Sequence, residues 1–401
     1  MVIRPPTHQS PQSPVPNPQS PLAALLRERA PLTVTAFMEL ALYDPDHGYY
    51  ARAAQRSGRA GDFFTSVDVG PLFGELLELQ LCEMAALLRT AAEAAEKAER
   101  AGTFDLVEAG AGNGRLAADI LRAAKERDPA FYDSIRLHLV EASAVARAAQ
   151  RDTLGEVGDR LVSSGAELPE RFEGVLVANE LLDALPTHQV VMREDGLKEV
   201  YVSVGPSLHL IEGPPSTPAL QAYLDRAGVT LEPGWRVEIN LRAIDWVREA
   251  ARRLTRGFLI LIDYGHEARE LYSATHSAGT LTSFAAHRNS GGDPDAGAAS
   301  WLERPSEQDI TAHVDFTSVR AAAEAEGMTT IALLDQTYFL LGLVDRRQPR
   351  SPFNQQSAIR NQQLKTLVMP GGLGSTMKVL MLGKGVGAPA LAGCSFKVRV
   401  T

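Results

Sequence analysis

Asp105-Leu-Val-Glu-Ala-Gly110-Ala-Gly112-Asn-Gly114-Arg115 joins a strand-like apolar run to an amphipathic helical run. Glycine tolerates left-handed backbone and close approach by a ligand, and the first turn of a helix offers free N–H groups. The stretch therefore reads as a strand–turn–helix unit that can hold a cofactor, or as a glycine-rich turn that holds nothing. Downstream, the spacing predicts strands over Ile135–Val140, Arg160–Ser163 and Phe172–Ala178, with helices over Gly114–Arg127 and Ala142–Thr153. Strands alternating with helices predict a parallel sheet covered on both faces. Further on come a helix over Leu241–Thr255 and a strand over Phe258–Asp263. A helix over Phe316–Gly327 and strands over Met328–Asp335 and Met377–Gly383 complete the core. The sum is an α/β fold with seven sheet strands.

The flanks read differently. Residues 1–21 carry seven prolines with glutamine and serine, and are expected to form a disordered tail. Residues 22–103 read as a helical segment with a polar loop before Pro71. The core begins at 104 and pauses at 186. Residues 187–235 alternate as antiparallel hairpins around the Glu194-Asp195-Gly196 turn, with a helix after them. Residues 236–265 return to the core, 266–315 form an irregular, lid-like insertion, and 316–401 close the core.

Composition narrows the function classes. The chain has 401 residues, 45% of them hydrophobic and 22% charged, and a formal net charge of −9. That balance disfavours general nucleic-acid binding. No apolar run reaches the ~20 residues of a membrane helix. Two cysteines, Cys82 and Cys394, make no disulfide framework, so a reducing, cytoplasmic setting is expected. No secretory signal or clear mitochondrial presequence is visible. No histidine pair has the close spacing of a helical zinc motif, so no metal site is expected.

The glycine loop departs from the dinucleotide fingerprint G-x-G-x-x-G, whose third glycine would fall on Arg115. Its E-x-G-x-G-x-G form, with Glu108, Gly110, Gly112 and Gly114, resembles motif I of the S-adenosylmethionine-dependent methyltransferases. That resemblance implies that Glu108 takes up the ammonium end of the cofactor, directly or through water. Glu141 ends the strand His138-Leu-Val-Glu. It can accept both hydrogen bonds from a ribose diol, or serve as an acid at a helix N-terminus. The turn Asn179-Glu180-Leu-Leu-Asp183 follows the next strand. Its acceptors can hold the N–H groups of an amide or guanidine nucleophile, or cap a following helix.

Taken together, these stretches resemble the MidA-like methyltransferases, which include the mitochondrial complex I assembly factor 7 proteins. The residues carrying the resemblance are Pro45–Tyr50, Gly61–Ser66, Phe73–Glu75, Glu108–Gly114, His138–Ser143, Ala178–Gln189, Leu261–His266, Gly279–Leu281, Asp309–Phe316 and Met377–Leu380. Two positions depart from the family pattern: Val67-Asp68 stands where Pro-Glu is usual, and Ala111 where proline is common.

The resemblance implies a class I methyltransferase (Rossmann-like) fold, S-adenosylmethionine as cofactor and S-adenosylhomocysteine as product. It further implies a protein substrate, methylated on arginine in a respiratory complex I subunit or an analogous protein. Cofactor-binding residues would be Asp62, Thr65, Ser66, Glu108, Gly110, Gly112, Gly114, Glu141 and Asn179. Of these, Asp62, Thr65 and Ser66 belong to a closing loop. Asn179, Glu180 and Asp183 would be catalytic. The alternatives are a cofactor-binding assembly chaperone and an NAD-linked oxidoreductase.

Overall fold

A computed structural model describes residues 21–51, 65–94, 102–285, 288–289, 299–347, 358–369, 374 and 376–396. The expected tail and Asp62 lie outside these residues, apart from Pro21. Seven strands form one path: β1 (Phe104–Ala109), β2 (Ile135–Val140), β3 (Leu161–Gly165), β4 (Phe172–Asn179), β5 (Leu254–His266), β6 (Thr329–Asp335) and β7 (Met377–Lys384). Their spatial order is β6-β7-β5-β4-β1-β2-β3, and the two-residue strand Val314–Asp315 adds beside β5 as an eighth. β1 to β5 run parallel, and β7 runs antiparallel to both β5 and β6.

Among the helices that frame this sheet are α1 (Leu72–Ala94), α2 (Arg115–Arg127), α3 (Ala144–Leu154), α4 (Leu241–Arg253), α5 (Phe316–Ala325) and α6 (Gln336–Arg347). The central strands are buried on both faces, and successive side chains alternate between them. Val175, Val177, Phe258, Ile260 and Ile262 pack with α1, α2 and α6. Leu176, Ala178, Leu259 and Leu261 pack with α4 and α5. α4 shows why periodicity suffices here: Ala243, Ile244, Val247, Ala250 and Ala251 fall on one buried face, and Asn240 caps its start by accepting from the Ala243 N–H.

A second sheet of five strands lies beside this core. The antiparallel strands His188–Arg193, Gly196–Val204 and Leu208–Gly213 were expected. Arg236–Ile239 also joins them, and Leu32–Thr33 enters from the N-terminal segment. The helix Val34–Tyr43 packs on it through Val34, Phe37, Met38 and Leu42.

The 266–315 stretch is more ordered than its composition suggested. It holds a short helix, Ala268–Leu271, and a three-stranded sheet of Thr282–Ala285, Arg288–Asn289 and Asp309–Thr311. The helices Gln336–Arg347 and Ala358–Val368 were not anticipated. Among the described residues no helix is long and apolar enough to cross a membrane.

Strand starts are pinned by close backbone approach. A Cβ on Gly174 would lie 2.0 Å from the Asp105 carbonyl oxygen, and one on Gly257 would lie 1.9 Å from that of Gly174. Both glycines also hold positive φ. Gly174→Ala should therefore lower stability by about 1–3 kcal/mol, the usual penalty of overpacking. A urea melt reads this as a lower midpoint, and an unchanged midpoint would show that the strands spread freely.

Candidate active site

The carboxyl ends of β1, β2 and β4 meet at the place where strand order reverses, the position where open α/β sheets bind ligands. A cavity of about 370 Å³ opens there. The glycine loop forms its floor. Gly110, Gly112 and Gly114 have φ of 70°, 51° and 84°, and Gly114 caps α2. The Gly110 and Ala111 N–H groups donate to the Val140 carbonyl, which fixes the loop against β2. A Cβ on Gly112 would meet nothing within 4 Å, so the loop leaves open space above it.

Two acids flank the loop. Glu141 Oε2 accepts from the Gly112 N–H at 2.8 Å and Oε1 from the Ser143 N–H at 2.7 Å. Ser143 is the N-cap of α3, and Glu141, two residues before it, takes the Ser143 N–H, so it stands at a helix start as well as on the cavity. Glu141 bridges loop and strand end while lining the cavity. Glu108 is buried and accepts from the Ala117 N–H at 3.0 Å, and burial pushes its carboxyl up to about 8.

The turn after β4 forms the opposite wall. No helix follows it, so the capping alternative for Glu180 and Asp183 has nothing to cap. Glu180 holds a left-handed backbone, φ 53°, unusual for a residue with a side chain. Its Oε1 accepts from the Ser66 N–H at 3.1 Å and from Asn179 Nδ2 at 3.2 Å. Burial, aided by the charge of Asp183, pushes the Glu180 carboxyl up to about 8. The Asn179 Oδ1 is buried with no hydrogen-bond partner and borders the same cavity.

Asp183 is placed differently. It is buried behind the wall and is not among the lining residues. Burial and then the charges of Asp263 and Asp309 drive its carboxyl upward. Asp263, 1% exposed at the end of β5, accepts from the N–H groups of Leu181 and Leu182 at 3.1 and 2.8 Å.

The segment after residue 64 closes the site from the N-terminal side. Thr65 lines the cavity. Ser66 does not; its backbone N–H reaches Glu180, and its hydroxyl donates to Gln336 Oε1 at 3.1 Å. Asp68 receives the Thr65 N–H and hydroxyl, and pairs with Arg115 at 2.8 Å.

Thus Thr65, Glu108, Gly110, Gly112, Glu141, Asn179 and Glu180 converge on one cavity. Ser66, Gly114 and Asp183 support it from outside, and Asp62 lies beyond the described residues. Sequence reading missed Tyr43, Tyr50 and Arg115, which also line it. The aromatics after Gly48 were a visible signal for Tyr50, whose hydroxyl donates to Asp309 at 2.7 Å. Outside the cavity, His266, His276 and His313 come together although nothing in their spacing signals it.

Residues 86–334, more than half the chain, match the family described as "Putative S-adenosyl-L-methionine-dependent methyltransferase". The chain belongs to this methyltransferase family. The methyltransferase is 29% identical to the mouse mitochondrial protein arginine methyltransferase NDUFAF7 over 345 residues, covering 79% of this chain and 71% of that one. It is 27% identical to the human protein of that name over 388 residues, covering 88% and 80%. A crystal structure of a COG1565 superfamily member from Burkholderia thailandensis, bound to S-adenosyl-homocysteine, superposes with a TM-score of 0.81. Identity there is 29%, covering 97% of this chain and 99% of that one.

The cofactor of the family is S-adenosylmethionine, and the cavity fits it. The volume suits a small-molecule site, Gly112 leaves its floor clear, and the Asn179 acceptor awaits a donor. The backbone of residues 110–113, with Glu108, Glu141 and Asn179, would hold it.

Two predictions follow from this geometry. Glu141→Ala removes the acceptor that fixes Gly112, and should weaken S-adenosylhomocysteine binding by about 1.5–3 kcal/mol; calorimetry showing unchanged affinity would take Glu141 out of the site. The second concerns pH. Glu108 and Glu180 keep their protons up to about 8 when folded, whereas unfolded glutamate releases its proton near ~4.3. The folded chain therefore binds more protons between those values, and stability declines as pH rises toward 8. Melting temperature should fall from about pH 6.5 to 8, and fall less with the cationic S-adenosylmethionine bound. A rising trend without ligand would contradict the buried, protonated acids.

Proposed function

We propose that this methyltransferase methylates a protein on arginine nitrogen, and that the acceptor is a subunit of a respiratory complex or an analogous protein. The observation that carries this is the half-buried Glu180 on the cavity wall with the buried acids Asp183, Asp263 and Asp309 close by. Burial, and after it the repulsion among neighbouring acids, drives the carboxyls of Glu180, Asp183 and Asp263 upward, and a cation entering beside them favours their ionised form. A guanidinium supplies that cation together with donors in a planar fork. The names of the mammalian relatives support the same substrate class.

When bound, the cofactor supplies a methyl group on a sulfonium, a good leaving group. The chain itself has to align the acceptor and manage its protons. Glu180 suits this work. Its Oε1 is engaged by Ser66 and Asn179, which leaves Oε2 to accept from an acceptor N–H and to take up the proton released on methylation. Asp183 and Asp263 stand behind it and set the local field. Tyr43 and Tyr50 line the same cavity and restrict entry of water beside the reacting nitrogen.

Glu180→Gln keeps the shape and the Oε1 bonds but cannot neutralise a guanidinium. Methyl transfer should drop about 10²–10³-fold, with S-adenosylhomocysteine affinity nearly intact. The test is tritiated S-adenosylmethionine with a lysate of the source cell, followed by acid hydrolysis and amino-acid separation of the labelled protein. Label in methylarginine supports the reading. Label only in methyllysine or a methyl ester, or full activity of Glu180→Gln, would overturn it.

A further inference from the structure

Three histidines from three separate segments meet at the far end of β5. His266 is the last residue of that strand. His276 ends the 3-10 turn Ala274–His276. His313 precedes the Val314–Asp315 strand, which pairs beside Gly265 and His266. Their ring centroids lie 4.9, 5.3 and 6.1 Å apart. One nitrogen from each lies within 4.8 Å of the others. None of the three lines the cofactor cavity.

Packing alone explains this cluster poorly. The Nδ1 atoms of His266 and His313 are buried with no hydrogen-bond partner. A buried polar atom left unsatisfied is costly, and two occur in this one cluster. His276 is oriented by a 3.0 Å contact of its Nδ1 with the Glu270 carbonyl oxygen, which leaves Nε2 available. The Glu270 carboxylate oxygen lies 3.0 Å from His266 Nδ1, which places a fourth donor group at the same cluster.

We propose that His266, His276 and His313 form a zinc site, with Glu270 or water as fourth ligand. Tetrahedral zinc holds nitrogen at about 2.0–2.1 Å, which sets ligand nitrogens roughly 3.3 Å apart. Closing from 4.8 Å needs only side-chain rotation in three half-buried rings. Burial lowers His266 and His313, the latter to about 4, which disfavours an anion between them. Neutral imidazole is the form that ligates metal. Lys378, the cation facing His266, is itself neutralised by Asp335 at 2.5 Å. Bound zinc would tie the turn around residue 276 and the approach to Val314 to the end of β5, immobilising the stretch that borders the core.

The experiment uses tag-free full-length protein stripped with chelator and titrated with Co²⁺. One equivalent should bring up the visible d–d bands of tetrahedral cobalt, and Zn²⁺ should displace it. His276→Gln and His313→Gln should each weaken Co²⁺ binding at least about tenfold, with far-ultraviolet circular dichroism unchanged. His209→Gln, at an exposed histidine, should leave binding as it is. X-ray absorption on the zinc-loaded wild type needs no variant and should show only nitrogen and oxygen neighbours at about 2.0–2.1 Å. Absence of stoichiometric binding, sulfur neighbours, or binding that survives both substitutions would overturn the proposal.

Discussion

One carboxylate at the end of β5 holds the working end of this enzyme in shape. Asp263 accepts the N–H groups of two successive residues in the turn after β4, with a third, that of Asp183, at 3.4 Å. Those donors belong to a segment that is neither strand nor helix, and that would otherwise bury them unpaired. The arrangement lets Glu180 hold its left-handed backbone and turn its side chain toward the cavity. Asn240 works from the other side, donating to the carbonyls of Leu182 and Leu185. The cost is electrostatic: Asp263, itself pushed up to about 7 by burial, sits among further buried acids.

That cost fits the reaction. The cofactor brings a sulfonium and an ammonium to this edge alongside its carboxylate, and on the proposed reading the acceptor adds a guanidinium. A pocket already balanced by lysine or arginine would gain little from them. A pocket of buried acids gains ionisation of its own groups as each cation enters. Arg115 fits this logic because its charge is spent on Asp68 rather than on the acids of the cavity wall.

The sheet was legible because buried strands and amphipathic helices follow their own periods; β1, β2, β4 and the capped helix α4 illustrate this. The glycine loop and Glu141 were legible as chemistry, since their residue types leave few other uses. The helix Ala358–Val368 escaped because it has little amphipathic pattern to detect. Asp183 is expected beside Glu180 among the acceptors of the turn, yet it lies behind the wall; sequence spacing gives proximity but not orientation. The histidine cluster was invisible for the same reason, since its members meet only when β5, a short turn and a crossover return come together.

The two sides of the cavity are coupled through one short segment. Ser66 gives its backbone N–H to Glu180, while Asp68, two residues on, grips Arg115 at the start of α2. Arg115 adjoins Gly114, so the 65–69 segment touches both the start of α2 beside the glycine loop and the proposed acceptor site. Asp68 is also shut from solvent on its side chain, 1% exposed, which strengthens its bond to Arg115 relative to a surface pair. The substitution that argues against a dinucleotide fingerprint thus gains a purpose. An arginine in place of the third glycine finds its partner in Asp68, and so joins the start of α2 to the short segment whose Ser66 N–H reaches Glu180.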